Sequence, residues 1–256
     1  MLHLLLKKLI QLIMISKKII IFLILIFVII FSIISLTSGP IKISIKEIFY
    51  ILFNQFSFLD NNENELYSNI QESVLINIRF PRVILATLVG AGLGTSGAIL
   101  QGLFRNPLVD PGFIGVSSGA AVGAIISIMF GKLISNFLPH ILQAFLLPIL
   151  AIVGSFLTIM IVYSLSKVNG KTNVMAMLLS GVAINAIAGS VIGFFVSISS
   201  DLELRSFTFW TMGGLDNSDW FIVILVSFFT ILPFLFIYKF RKEIDIFMLG
   251  DSEATN

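Results

Sequence analysis

Few residues in this chain have the type and spacing for chemistry. Gly92-Leu93-Gly94-Thr95-Ser96-Gly97 spells G-x-G-x-x-G after a β-branched run, and Asp110 lies eighteen positions beyond Gly92, which outlines a dinucleotide fingerprint. That chemistry needs a strand, a turn, a helix and a second strand in a water-soluble sheet. Here one uncharged segment runs on to Phe104 instead. Gly170-Lys171-Thr172 has the look of the end of a phosphate-binding loop, but Leu165 stands where the loop's first glycine belongs. Nucleotide hydrolysis by this chain is therefore not expected. His3 and His140 are remote in sequence and have no evident triad or metal partners, and the chain has no cysteine. No catalytic residue, cofactor or metal site is expected.

The remaining polar residues of interest are Arg79 and Arg82, which flank Pro81, together with Gln101 and Asn185. What they can do depends on the elements that carry them. Of 256 residues, 57% are hydrophobic and only 12% charged, and the mean hydropathy is +1.04, which excludes an ordinary soluble domain. The net charge of +2 is spread thinly and gives no footprint for nucleic-acid phosphates. Six stretches contain no Asp, Glu, Lys or Arg: Ile19 to Leu36, Val83 to Phe104, Gly112 to Gly131, Ile141 to Leu165, Thr172 to Ser199 and Trp220 to Tyr238. A helix needs about 20 residues to cross a hydrocarbon core, and a charge at its centre costs about 2.5 to 3.5 kcal/mol. The fold class expected is an all-α, polytopic bundle with six spans, in which residues 1–18 form an N-terminal cytoplasmic segment and residues 19–256 the membrane domain. Leu2, Leu5, Leu6, Leu9, Leu12 and Ile13 recur near helical spacing around Lys7 and Lys8, as in a helix lying on the inner membrane surface.

Orientation follows from the basic residues of alternate connectors. With the N-terminus inside, one set holds Lys7, Lys8, Lys17, Lys18, Arg105, Lys167, Lys171, Lys239, Arg241 and Lys242, ten in all. The other holds Lys42, Lys46, Arg79, Arg82, Lys132 and Arg205, six in all, so the positive-inside rule places both ends of the six-span chain in the cytoplasm. The outer connector from Gly39 to Ile78 is the longest and most polar, with Asp60 to Glu65 as its loop centre and no soluble domain expected in it.

Within the spans the small residues carry the packing. Gly115, Gly119 and Gly123 recur every fourth position, as do Gly181, Asn185, Gly189 and Gly193, so tight helix contacts are expected along both stripes. Asn185 at mid-span is either glue between helices or part of a water-filled route. Gln101 can line a path or make a buried helix-helix hydrogen bond. Arg79 and Arg82 can present bidentate guanidinium groups to carboxylates of an incoming protein, or anchor at lipid headgroups. In Arg105-Asn106-Pro107-Leu108-Val109-Asp110-Pro111-Gly112, Asn106 before Pro107 ends the second span, and Asp110 with Pro111 behind it caps the third.

These residues also carry a resemblance. Arg79-Phe80-Pro81-Arg82, then Gly90-Ala91-Gly92-Leu93 with Ser96-Gly97 and Gln101, then Asn106-Pro107-Leu108, Pro111, Gly115 and Gly119-Ala120 form its densest part. Leu178-Leu179-Ser180-Gly181-Val182, Trp210-Thr211-Met212-Gly213-Gly214 and Leu249-Gly250-Asp251 add weaker matches. From Arg79 to near the C-terminus the chain resembles the permease subunits of ATP-binding-cassette importers for iron-siderophores, haem and cobalamin, the FecCD-type family. The resemblance implies a type II importer permease fold of about ten spans in the cell membrane. It implies a homodimer with the translocation path at its interface, two cytoplasmic ATPase subunits, and an extracytoplasmic substrate-binding protein docking near Arg79 and Arg82. Leu249-Gly250-Asp251 would open the helix that couples to the ATPase. The sequence stops six residues after Gly250, so a fragment or a truncated, inactive product is expected.

Two other classes compete. A membrane-embedded enzyme needs acids, bases or metal ligands converging at matched depths, and the spans offer none. A structural or regulatory membrane partner would fit a chain without its coupling loop. As to cargo, iron-siderophore is the expectation, with haem and cobalamin as related chelates.

Overall fold

A computed structural model of the chain describes residues 2–56, 67–168 and 170–244. The helices are α1 (Leu2–Thr37), α2 (Ile45–Phe56), α3 (Asn69–Val74), α4 (Phe80–Phe104), α5 (Val116–Ser135), α6 (His140–Gln143), α7 (Leu146–Leu165), α8 (Val174–Ile198), α9 (Asp201–Met212) and α10 (Trp220–Lys239). A minimal antiparallel hairpin of β1 (Lys167–Val168) and β2 (Lys171–Thr172) joins α7 to α8. Six helical stretches are long and apolar enough to cross a membrane, in agreement with the six expected spans: Lys17–Thr37, Asn69–Phe104, Val116–Ser135, Leu146–Leu165, Val174–Ile198 and Trp220–Lys239.

The boundaries differ from expectation where local chemistry intervenes. No glycine or proline interrupts the chain before Ser38-Gly39-Pro40, so α1 is one helix from Leu2 to Thr37, and the apolar span within it runs over Lys17–Thr37. The second span starts earlier than Val83: α3 passes through a π-helical turn, Leu75–Arg79, directly into α4. The third starts later, at Val116, after a 3₁₀ turn and the left-handed Gly115, and the fourth starts at Leu146, after Gln143 at the end of α6 turns back on the end of α5. Its Nε2 donates to the carbonyls of Ser135 at 3.1 Å and Leu138 at 3.2 Å, and the Ser135 carbonyl also accepts from Leu138 N–H at 3.0 Å.

The chain divides into two compact units. The first, Met1–Val89 with Leu215–Phe229, has a core of Leu36, Ile43, Ile48, Ile51 and Leu75. It is closed by short polar devices. Ser44 and Glu47 cap α2 reciprocally, Ser68 and Gln71 do the same for α3, and Gln71 Nε2 reaches Glu47 Oε1 at 3.3 Å. The Glu47 carboxyl is held below its ordinary range, chiefly by the Ser44 backbone N–H and then by the Ser44 side chain.

The second unit, Gly90–Gly214 with Thr230–Asn256, is built around the pair α5 and α7. Gly119 lies against the Gly154 carbonyl and Gly123 against the Leu150 carbonyl, so closely that a Cβ at either glycine would collide with backbone. Ser155 Oγ donates to the Val116 carbonyl at 2.9 Å across the same seam. Such approach replaces the hydrophobic drive that lipid does not supply. Ala124, Ile125 and Phe207 form the core where α9 folds against α5, with Phe195 and Trp210 beside them.

Candidate functional site

In the first unit the functional candidates sit on the π-helical turn. Phe80 N–H reaches back to the Leu75 carbonyl, an i to i−5 register that puts position 81 opposite Ile76. Pro81 has no N–H to give, and the Ile76 carbonyl accepts the indole Nε1–H of Trp220 at 3.0 Å instead. The Phe80 ring lies 6.2 Å from that of Trp220. The turn swings Arg79 inward. Arg79 is 7% exposed, and its guanidinium donates to the Leu36 carbonyl at 2.6 Å and to the Ile41 carbonyl. Leu36 belongs to the last turn of α1, whose final carbonyls lack helical donors and carry the negative end of the helix dipole. Gly39, at φ +151°, leaves the room this needs, since a Cβ there would run into the guanidinium. The fork expected to face a partner's carboxylates is thus occupied within the chain. Arg82 is half-buried, and its Nε donates to the Leu215 carbonyl at 3.2 Å.

In the second unit the Asn106-Pro107-Leu108 connection is held at both ends. Arg105 adopts the left-handed conformation at φ +50°, while Arg105 N–H bonds the Gly102 carbonyl and Asn106 N–H the Gln101 carbonyl, each at 3.1 Å. This paired pattern closes the end of α4. Asn106 Oδ1 then accepts from Leu108 N–H at 3.0 Å. Pro107 and Leu108 form the exposed tip, Leu108 being 81% exposed. Asp110 does act as a cap, but of a single 3₁₀ turn, Pro111–Ile114, and not of the span itself. Gly115, at φ +84°, turns the chain from that 3₁₀ turn into α5. An added Cβ there would also meet Thr158 Cγ2 at 2.6 Å.

Asn185 is the hub of this region. Its Nδ2 donates to the Gly112 carbonyl at 2.9 Å, and its Oδ1 accepts from Ser118 Oγ at 2.6 Å, which ties α8 to the 3₁₀ turn and to α5. One turn earlier Gly181 lies against the Phe113 carbonyl. Both bonds join α8 to neighbouring elements. The stripe on α8 does not pack throughout, however: Gly189 and Gly193 have open space where a Cβ would stand, as do Gly90, Gly94 and Gly97 on α4. Gln101 is exposed rather than buried between helices. Leu249, Gly250 and Asp251 lie outside the described residues.

Both nucleotide lookalikes have other structures. Gly92 to Gly97 lie inside α4, and Gly170, at φ +80°, belongs to the hairpin turn. Sequence reasoning missed α9, whose N-terminus carries a reciprocal cap: Glu203 Oε2 accepts from Ser200 N–H and Ser200 Oγ, each at 2.8 Å. The Ser200 backbone N–H, followed by its hydroxyl, holds the Glu203 carboxyl below its ordinary range, and Lys132 adds a smaller pull in the same direction. The Ser-x-x-Glu spacing at 200–203 was the available signal. Ser118, Gly154, Ser155 and Thr158 were missed too, although Gly154 and Thr158 are spaced one turn apart to meet the glycines of α5.

Six long apolar helices, with polar side chains binding helix to helix and connections capped at their turns, define an α-helical multi-pass membrane protein. The sequence matches the FecCD transport family over residues 24–256, and the chain belongs to that family. The hemin transport system permease protein of Yersinia pestis is 42% identical over 184 residues, covering 71% of this chain and 53% of that protein. The cobalamin import system permease protein of Halobacterium salinarum is 37% identical over 177 residues, covering 69% and 45%. A solved structure described as a metal-chelate type ABC transporter in an inward-facing conformation superimposes with a TM-score of 0.71 at 27% identity, covering 93% of this chain and 67% of that one. The chain spans about half the length of the curated relatives it matches.

Proposed function

We propose that this chain acts as the permease subunit of an ABC importer that moves an iron-siderophore or a related metal chelate, haem or cobalamin, inward across the cell membrane. The observation that carries the reading is the match to the FecCD transport family across the described spans, joined to 42% identity with a hemin permease. The N-terminus lies in the cytoplasm, which the ten-to-six division of basic residues supports. A second permease copy completes the path. The glycines at 90, 94 and 97 on α4 and at 189 and 193 on α8 support this, because they leave those helix surfaces open to a close neighbour. Partner ATPase subunits supply the energy, and coupling through Leu249, Gly250 and Asp251 belongs to this proposal. An extracytoplasmic substrate-binding protein delivers the cargo at the arginine-bearing end of α4, where Arg82 meets its carboxylates and Arg79 holds α1 in place. No bond in the cargo changes. Packed helices such as α5 and α7 move as rigid bodies, since their backbones touch at Gly119 and Gly123 and leave little room to bend. The test is co-purification from native membranes. The tagged chain should bring down an ATPase subunit and bind a loaded substrate-binding protein, and recovery of neither from well-folded material would remove the transporter reading.

A further inference from the structure

We propose that α2 is a membrane-surface anchor, its stripe Ile45, Phe49 and Phe53 inserted in the leaflet where α1 leaves the lipid and Lys42 and Lys46 held at the phosphate headgroups. The inference rests on α1 being a lipid-spanning helix and does not depend on the transport reading.

At about 100° per residue, positions 45, 48, 49, 51, 52, 53 and 56 of α2 fall on one arc that is apolar except for Gln55, and Lys46, Glu47, Tyr50 and Asn54 fill the rest. The chain covers only half of that arc. Ile48 and Ile51 are buried against Leu36, Ile43 and Leu75, whereas Ile45 is 53%, Phe49 71% and Phe53 69% exposed. The uncovered residues recur every fourth position and form a stripe roughly 12 Å long at about 1.5 Å per residue. Phe49 and Phe53, with Tyr50 and Leu52, also line a shallow concavity.

The level of the helix and its charges point to lipid as the occupant. Ile48 and Ile51 share a core with Leu36, the penultimate residue of α1, so α2 lies where that span ends. Ile33 and Ile34, within a turn of Leu36 on α1, are exposed apolar residues as well. Lys42 precedes the helix, Lys46 borders the stripe, and both are exposed. The neighbouring carboxylate of Glu47 is turned to Ser44 and Gln71 instead. An apolar stripe edged by lysines matches acyl chains edged by phosphates.

Because the chain has no cysteine, single cysteines can carry an environment-sensitive fluorophore without background labelling. Phe49→Cys and Phe53→Cys, with Asn217→Cys as an exposed reference in the same unit, would be labelled and the full chain reconstituted in phosphatidylcholine–phosphatidylglycerol vesicles. Lipids bearing a nitroxide near the headgroup should quench labels at 49 and 53 by about twofold or more over that at 217, and iodide should quench them less. Labels at 49 and 53 as open to iodide as 217 would overturn the proposal. So would labels shielded from both quenchers, which would put protein on the stripe, either a second copy of this chain or another partner. Ile45→Cys reads the same stripe if either phenylalanine variant fails to fold.

Discussion

Removing the Arg79 side chain separates a positioning role from a docking role. Its guanidinium makes two charge-assisted hydrogen bonds to the carbonyls of Leu36 and Ile41 and is almost wholly covered. Bonds of that kind contribute about 1.5 to 3 kcal/mol each, so Arg79→Ala is expected to cost about 3 kcal/mol by the lower figure, with two carbonyls left unpartnered. For a chain of this size each kcal/mol moves Tm by about 2 to 4 °C, which gives a fall of about 6 to 12 °C. Arg82→Ala loses one bond of 3.2 Å from a half-buried side chain, about 1 kcal/mol once solvent screening is allowed for, and a fall of about 2 to 4 °C is expected. Arg79→Lys should recover part of the loss, since an ammonium is a point charge where the site holds a planar fork. Retention of the monodisperse peak in detergent after heating measures the stability. Affinity for the substrate-binding protein, measured below both melting temperatures, should fall for Arg82→Ala and hold for Arg79→Ala. Reversal of both charges, Arg79→Glu with Arg82→Glu, is expected to weaken docking without loss of membrane insertion. If Arg79→Ala left Tm unchanged and cost as much docking affinity as Arg82→Ala, the assignment of Arg79 to the end of α1 would be wrong.

Two further outcomes are expected. Asn185→Leu and Ser118→Ala, combined in a double-mutant cycle of unfolding in mixed micelles, should show a favourable coupling of about 1 kcal/mol through the 2.6 Å hydrogen bond; a coupling of zero would exclude it. The lowered pKa of Glu203 means that the cap on α9 is fully formed above the ordinary glutamate pKa and is lost as pH falls through the lowered value. Amide exchange in the first turn of α9, corrected for its intrinsic rate, should therefore rise on acidification in the native chain and not in Glu203→Gln, and equal profiles would refute the cap.

The spans were legible because lipid imposes one rule on every residue of a crossing helix, and the thirty charges obey it. Glycine spacing gave the seam of α5 correctly for the same reason, since backbones can meet in a bilayer only where side chains are absent. It failed on α8. There Gly181 packs and Gly189 and Gly193 do not, and no periodicity distinguishes a glycine that meets this chain from one that faces open space. Arg79 was misjudged on similar grounds. A guanidinium beside Pro81 reads as a surface group until the π-helical turn is known, and nothing local in Leu75 to Arg79 announces an i to i−5 register.

Reciprocal caps at Ser44–Glu47, Ser68–Gln71 and Ser200–Glu203 show what a reading based on hydropathy leaves out. All three lie in the connectors expected outside, where water competes for backbone groups and short helices need their first N–H groups satisfied by side chains. On the opposite connectors, among the described residues, the side-chain caps are single rather than reciprocal: Asp110 on the 3₁₀ turn, and Asn173 Oδ1, which accepts from Ala176 N–H at 3.0 Å. They stand beside the left-handed Arg105, the Asn106 turn and the hairpin at Gly170. Hydropathy decides which segments enter lipid, but caps and turns decide where each helix starts and how its neighbour is aimed. In this chain candidate site residues sit at those turns: Arg82 follows the π-helical turn, and Asn185 grips the 3₁₀ turn at Gly112. A substitution that leaves every span apolar can therefore still displace the functional surface, by releasing one cap.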